Sequence, residues 1–484
     1  MDNSLHWLEP VTHTESGPRI SIKSETDNPV FDTEHHAQLM ALKSEIDLIQ
    51  PVQTWDTAKK ITNPYEYIFL SLQKRTHRSI AAIIPLSRSY FKMVEMWELL
   101  QVALPQGDLM TSHSAEGPGG FLEAILDRIK PKHARMVAMT LRSTERTIPG
   151  WRKSQQFLTT YPNVLVTYGD DGTGNLYSLK NQDAFSKAAK DHLGPGLAHL
   201  YTADGGFDFS ADFNGQETAV QRLLAAEALS GLLTLAPGGT MILKLFDTKH
   251  AGTLDLMWIL SGCFEKTALT KPLTSRPANS ERYWIGSGLR TSIPAWVVAV
   301  LKTLTSTDAP NGWSQIFESR PYTEAWLTPY RLFQTSVEEQ QIHNIQLTLN
   351  LIKQPTRKLI YELLLANVKN SRTWCNAHGI PINRQYVGIT DEQVTISNLE
   401  EALEPFQALV SRTSSLAWSP HLPTHRVSTS SPSLLPPAGP AWRTALPASI
   451  LGRESSKTTS GTAPSSDSEK PQSPPEESTL HEEH

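Results

Sequence analysis

The chain has 484 residues, with Lys plus Arg at 44 against Asp plus Glu at 49 and a formal net charge of −5. That is long enough for two or three domains and excludes nucleic-acid binding by bulk positive charge, so any contact with a polyanion must be local. Cys263 and Cys375 are the only cysteines, too few for a disulfide framework and without the Cys/His spacing of structural zinc. No uninterrupted apolar stretch approaches the roughly 20 residues that span a bilayer, and MDNSLHWLEP lacks the basic start and apolar run of a signal peptide; the expectation is a reducing compartment, nuclear or cytoplasmic, with no membrane partner and no secretion.

Residues 1–57 are polar and weakly periodic apart from an apolar cluster between Leu39 and Ile49, so they read as an N-terminal extension with one helix. From about Ile68 to Leu104 apolar residues recur at helical spacing, as at Tyr90, Met93, Val94, Trp97 and Leu100, and Lys92 falls beside that stripe. From Leu109 to Leu289 short apolar runs alternate with helical patterns, which marks an α/β sheet with helices on its faces and places the main domain at 58–290. Expected strands are Met136–Leu141, Val164–Tyr168, His199–Ala203, Met241–Phe246 and Tyr283–Ser287, with a weaker signal at Leu109–Ser114. Val220, Leu223, Leu224, Leu229, Leu232 and Leu233 suit a helix stopped by Pro237, Gly238 and Gly239. Residues 291–412 are mainly helical, with runs at Val337–Ile352 and Arg357–Ala377 and Gly379 as a C-terminal cap, and read as an appendage packed on the main domain. Residues 413–484 turn to Ser, Thr and Pro and are expected to be a disordered tail.

Four words along the main domain carry chemistry. In AEGPGGF (115–121), Glu116, Gly117, Pro118, Gly119 and Gly120 sit between a strand signal and a helix that opens at Phe121. Glycines without Cβ let backbone approach a ligand, and helix amides then point at it, which suits a nucleotide-like cofactor; an ordinary βα turn reads the same way, and the departure from GxGxxG counts against a dinucleotide. Asp204 ends a strand signal and is followed by two glycines, so its carboxylate lies where open α/β sheets bind ligands, although an aspartate that starts a turn fits as well. Lys244 interrupts the apolar run Met241–Phe246, where an unpaired ammonium would be costly, so it needs a partner or a way to solvent. Taken alone, Glu281 reads as a surface residue and Lys92 as an exposed helix lysine.

As a set these words resemble the FtsJ-like 2′-O-methyltransferases over about Ser89–Leu289, and TADGGFD, LAPGGTMILKLFD and LTSRPANSERY are most similar to the eukaryotic and viral mRNA cap 2′-O-methyltransferases. The order Lys92, Asp204, Lys244, Glu281, with gaps of 112, 40 and 37 positions, matches the family's Lys-Asp-Lys-Glu tetrad. The resemblance implies a Rossmann-like class I methyltransferase sheet of seven strands and S-adenosylmethionine as cofactor. It places that cofactor at the 115–121 loop, at Thr140 within AMTLRS, and at GDDGTGN (169–175), where Asp171 or Asp170 would meet the adenine unless they only make a turn. It also implies capped mRNA as a partner, with other capping enzymes as further candidates.

A ribose hydroxyl is a poor nucleophile whose proton must leave as the methyl group arrives, and a lysine accepts that proton only when neutral, against an ordinary pKa of about 10.4. Lys244 is therefore assigned as base, Asp204 and Glu281 as its orienters, and Lys92 as the cation that stabilises developing alkoxide. Burial and Lys92 push Lys244 toward neutrality while the carboxylates oppose it, and the net sign is open at this stage. Arg276 and Arg282, flanking Glu281, are candidate RNA contacts; Lys74, Arg75, His77, Arg78, Arg128, Lys130, Lys132, His133 and Arg135 are candidate phosphate contacts that read more readily as solvated faces. A ribosomal RNA 2′-O-methyltransferase shares the tetrad, and a non-catalytic RNA-binding subunit could keep the fold. The phrase TSRPANSERY and the long appendage favour the cap enzyme, and the intact tetrad speaks against the inactive one.

Overall fold

The structure is a computed structural model and describes residues 4–24, 34–49, 52–70, 79–100, 107–129, 134–145, 148–195, 197–206, 215–306 and 312–406; the Ser/Thr/Pro-rich tail lies outside them. The N-terminal segment supplies β1 (His6–Leu8), β2 (Ile20–Lys23), α1 (Glu34–Asp47) and α2 (Val52–Thr62). The main domain follows as α3 (Ser89–Leu100), β3 (Leu109–Ser114), α4 (Gly120–Arg128), β4 (Ala134–Met139), α5 (Gln155–Thr160), β5 (Val164–Thr167), α6 (Leu179–Leu193), β6 (Ala198–Ala203), α7 (Gln216–Thr234), β7 (Leu235–Phe246), α8 (Ala251–Ser261), β8 (Phe264–Thr270) and β9 (Glu281–Leu289). The C-terminal region holds α9 (Ala295–Thr305), β10 (Gln315–Phe317), α10 (Glu324–Lys353), α11 (Arg357–Ala377) and α12 (Asp391–Leu403).

One mixed sheet runs in the order β1-β8-β9-β7-β6-β3-β4-β5. The block β5-β4-β3-β6-β7 is parallel, whereas β9, β8 and β1 are added antiparallel. The sheet has eight strands rather than seven because the extension contributes β1, with His6 opposite Leu269 and Leu8 opposite Thr267. That segment is more than one helix: β2 pairs with β10, and α1 and α2 pack on α10.

Three other readings needed correction. Of the stretch read as helical from Ile68, the described residues 79–88 are not helical and the α-helix begins at Ser89, since Pro85 disfavours helical backbone at the residue before it. The strand β8 was missed because FEKTALT opens with Glu265 and Lys266, both exposed, and shows no clean alternation. Pro237 and Gly238 do not separate α7 from its strand: Leu235 already pairs with Ala198, and the register then shifts before Thr240 meets Leu200, with Gly238 at φ 80° in that irregularity.

Both faces of the sheet are covered, so its central strands read as apolar runs. Alternate residues divide between two cores. Val137, Met139, Tyr201, Met241, Leu243 and Trp284 pack with α6, α7, α8 and α9; Met136, Ala138, Leu200, Ile242, Tyr283 and Ile285 pack with α3, α4 and α11. The appendage helices are locally well specified: Thr323, Thr356 and Thr390 each accept a backbone N–H as N-caps, and Pro355 separates α10 from α11. No helix among the described residues is long and apolar enough to cross a membrane.

A third apolar cluster docks the N-terminal helices: Leu39, Leu42 and Trp55 meet Ile342, Ile345 and Leu349 of α10. Ile345 is fully buried there. Ile345→Ala is expected to lower the unfolding free energy by about 2–5 kcal/mol in urea titration, and a change below about 1 kcal/mol would mean that the cluster does not hold the N-terminal helices to α10.

Candidate active site

After β3 the chain moves toward β4, and after β6 toward β7, so a crevice opens at the carboxyl ends of these neighbouring strands. The 115–119 loop enters it from β3, Asp204 from β6 and Lys244 from β7. Because β9 runs antiparallel, its first residue, Glu281, arrives at the same edge, opposite Phe246, while Tyr283 stands opposite Lys244.

The four tetrad candidates form two ion pairs. Lys92 Nζ lies 2.8 Å from each oxygen of Glu281. Lys244 Nζ lies 3.2 Å from Asp204 Oδ1 and donates to the Asp204 carbonyl at 2.6 Å. Tyr283, absent from the sequence candidates, donates its hydroxyl to Asp204 Oδ1 at 2.9 Å and sets its ring 6.0 Å from the Lys92 ammonium. For Glu281, burial alone would raise the pKa, but Lys92, Lys244 and Lys271 outweigh it and bring the carboxyl down to about 2. For Lys244, burial is the largest single influence and lowers the pKa, yet Asp204, Glu281 and Glu227 together more than reverse it. The balance left open by the sequence thus tips toward the ammonium. Lys271, just beyond β8, is pushed down to about 7 by burial against the pull of Glu281.

A cavity of about 630 Å³ adjoins these charges, lined by Gly117, Thr140, Gly174, Asn175, Tyr177, Gly206 and the tetrad members Asp204 and Lys244. Its loops approach closely: a Cβ on Gly174 would sit 2.0 Å from the Thr140 carbonyl oxygen, and one on Gly206 3.3 Å from Lys244 Nζ.

Several predicted cofactor residues do not line this cavity. Glu116 is turned inward, where Thr202 donates to it and His113 Nδ1 lies 3.3 Å away; burial pushes its carboxyl up. Gly119 caps α4 at φ 104° with Trp151 against it, a Cβ on Gly120 would strike the Ser87 and Ser89 hydroxyls, and Phe121 is buried 6.0 Å from the Tyr283 ring; with Pro118 they shape the turn. Asp170 and Asp171 are exposed, and Asp171 Oδ1 accepts from Thr173 N (2.9 Å), Thr173 Oγ1 (2.6 Å) and Asn181 Nδ2 (3.0 Å), bracing its own turn. The residues that reach the cavity, Gly174 to Tyr177, follow a few positions later.

Arg282 is not an RNA contact in this structure. Strand alternation sends it to the face opposite Glu281 and Tyr283, where it is fully buried and donates to Thr248 Oγ1, Gln334 Oε1 and the Ser280 carbonyl. Arg276 is gripped by Glu66, with Nη2–Oε1 at 2.9 Å and Nε–Oε2 at 3.1 Å, and borders a recess of about 140 Å³ with Lys43, Trp55, Lys59 and Asn279. Arg128 donates to the His378 carbonyl and Arg135 to that of His192, while Lys74, Arg75, His77, Arg78, Lys130, Lys132 and His133 lie outside the described residues.

Residues 85–289 match the family model of the FtsJ-like methyltransferases. The cap-specific mRNA (nucleoside-2′-O-)-methyltransferase 1 of Xenopus laevis is 38% identical over 181 residues, covering 37% of this chain and 21% of that protein. Its Homo sapiens counterpart is 36% identical over 181 residues with the same coverage. The chain thus spans about a fifth of the length of the curated relatives it matches. Among solved structures, a Plasmodium falciparum chain named as a ribosomal RNA methyltransferase overlaps with a TM-score of 0.29 at 17% identity, covering 42% of this chain and 98% of that one.

Glu227 of α7 is a second residue that the sequence did not flag. Burial, aided by the carboxylates of Asp204 and Glu116 and opposed by Lys244, pushes it from 4.5 up to about 8. The folded state then keeps a proton that the unfolded chain releases, so parent stability falls as pH climbs from about 4.5 to about 8. Glutamine has no such proton. The stability advantage of Glu227→Gln over the parent should widen by about 3 kcal/mol between about pH 5 and pH 8 in urea unfolding, and a pH-independent gap would show that Glu227 does not hold that proton.

Proposed function

We propose that this chain, which carries an FtsJ-like methyltransferase domain across residues 85–289, transfers a methyl group from S-adenosylmethionine to a ribose 2′-OH in the cap region of mRNA. The observation that carries the reading is the Lys244–Asp204 pair at the cavity edge with the Lys92–Glu281 pair close enough for Glu281 to act on Lys244. The activity for which the Xenopus laevis and Homo sapiens relatives are named supports the cap as substrate.

The cavity suits the cofactor in size and lining, at about 630 Å³ with glycine backbone, polar groups from Thr140 and Asn175 and the Tyr177 ring. Gly117, Thr140, Asn175 and Tyr177 would hold S-adenosylmethionine, which supplies a methyl group activated by its positive sulfonium. Lys244 takes the proton of the ribose hydroxyl. It must first lose its own, and any positive charge held in the cavity opposes the carboxylates that raise its pKa, so that loading the site favours the neutral amine. Asp204 aims Lys244 through its carboxylate and its carbonyl, while Tyr283 holds that carboxylate. Lys92, anchored by Glu281, stabilises the oxygen as negative charge develops. Capped mRNA is the partner, other capping enzymes are further partners, and the RNA enters along the recess bordered by Trp55, Lys59 and Arg276.

Methyl transfer from labelled S-adenosylmethionine should yield a 2′-O-methylated nucleoside on capped RNA and little on uncapped or ribosomal RNA; preference for ribosomal RNA would overturn the substrate assignment. Lys244→Ala is expected to lower kcat by about 10²–10⁴-fold with cofactor affinity by calorimetry within a few-fold of the parent. With the resting ammonium held above its ordinary pKa, kcat/KM should climb about tenfold per pH unit from about pH 6.5 to 8.5, and a flat profile would remove Lys244 as base.

A further inference from the structure

Lys271 is a charged residue that the proposed chemistry does not use, yet it is only 4% exposed and lies beside the site. It directly follows β8, and the ten positions 271–280 form the loop that returns the chain to Glu281 at the start of β9. Lys271 Nζ donates to the Glu281 carbonyl at 2.6 Å, to the Asn279 carbonyl at 3.0 Å and to Asn279 Oδ1 at 2.9 Å. Three acceptors thus lie within 3.0 Å of one amine nitrogen. Ser275, from the middle of the loop, lies 3.4 Å from the same nitrogen and donates to Glu281 Oε1 at 2.9 Å. Glu281 is thus held from two sides, its main chain by Lys271 and its carboxylate by Ser275.

The far side of the loop is tied to the helix that carries the opposing cation. Glu95 of α3, fully buried and three positions after Lys92, accepts the backbone N–H groups of Leu273 at 2.7 Å and Thr274 at 2.9 Å. Trp374 of α11 donates its indole N–H to the same carboxylate at 3.2 Å. Lys92 and Glu281 therefore meet at 2.8 Å because the loop joining β8 to β9 is fixed at one end to Lys92's own helix and at the other to Glu281.

We infer that Lys271, acting with Ser275, is a positioning residue that closes this hairpin loop and sets the Glu281 carboxylate against Lys92. This inference rests on the methyl-transfer reading and deepens it, since neither side chain touches the reacting atoms. A site held 1 Å out of place loses turnover rather than cofactor affinity.

The test uses the full chain and a short capped RNA, with kcat and KM separated for RNA and S-adenosylmethionine, cofactor affinity measured by calorimetry and melting followed alongside. Lys271→Met is expected to lower kcat by about 10–100-fold with cofactor affinity within about twofold of the parent. Ser275→Ala, which deletes one hydroxyl and leaves the loop's backbone anchors, should lower kcat by about tenfold and decides alone if Lys271→Met does not fold. Parent-level kcat in Ser275→Ala, or in a folded Lys271→Met, overturns the inference. So does a loss of turnover matched by an equal loss of cofactor affinity, which would make the pair a general support of the fold. A parent chain that methylates no RNA removes the functional reading itself, and that failure is visible before any variant is compared.

Discussion

The pairing of Lys244 with Tyr283 across β7 and β9 is the constraint on which the site depends. Side chains alternate along a strand, so this register sends Lys244, Tyr283 and Glu281 to one face and Arg282 to the other. A slip of one residue would exchange Glu281 for Arg282, placing a guanidinium beside two ammonium groups and a carboxylate among the apolar side chains of the opposite core. The antiparallel return of β9 matters equally. It brings the first residue of that strand, rather than its last, to the edge where β3, β6 and β7 end.

Four charges at a largely buried edge are tolerable because each ammonium has its carboxylate. The two pairs differ in consequence. Glu281 lies among the Lys92, Lys244 and Lys271 amines, chiefly Lys92, and its carboxyl is held well below the ordinary carboxylate range, a fixed negative point around which Lys92 is oriented. Lys244 is surrounded by carboxylates that favour its ammonium, so the proton affinity of its amine depends on what else occupies the cavity. Glu227 and Glu116 add a layer of buried acid behind Asp204, and burial favours their neutral forms. Proton affinities near Lys244 are thus set by a cluster rather than by one partner.

Much of this was legible in the residues. The strands at 136, 164, 199, 241 and 283 and the α11 boundaries follow from apolar runs and from Pro, Gly and Thr at their ends. Lys92, Asp204, Lys244 and Glu281 could be singled out because Lys244 breaks an apolar run and the words around it are distinctive, and the structure pairs them as two salt bridges. What failed has physical causes. Arg282 looked accessible because sequence adjacency to Glu281 ignores which face a strand residue takes. The glycine-rich turn was read as a ligand cradle along its whole length, whereas Ala115 and Gly117 line the cavity and the residues after them pack on Trp151, Ser87 and Tyr283. Tyr283, Lys271 and Glu227 carry no local signal, since their importance comes from long-range neighbours that only folding supplies.

The extra strand from the N-terminal segment has a consequence for how copies of this chain meet one another. With β1 in place, the sheet ends on one side in three residues and on the other in the four of β5, its two shortest strands. A net charge of −5 over 484 residues gives little mutual repulsion to keep molecules apart. Without β1 the sheet would end at the seven residues of β8, a row of unpaired backbone groups long enough to template pairing with a neighbour. Three residues, His6–Leu8, thereby cover the edge of a sheet whose next strand in the chain begins only at Leu109.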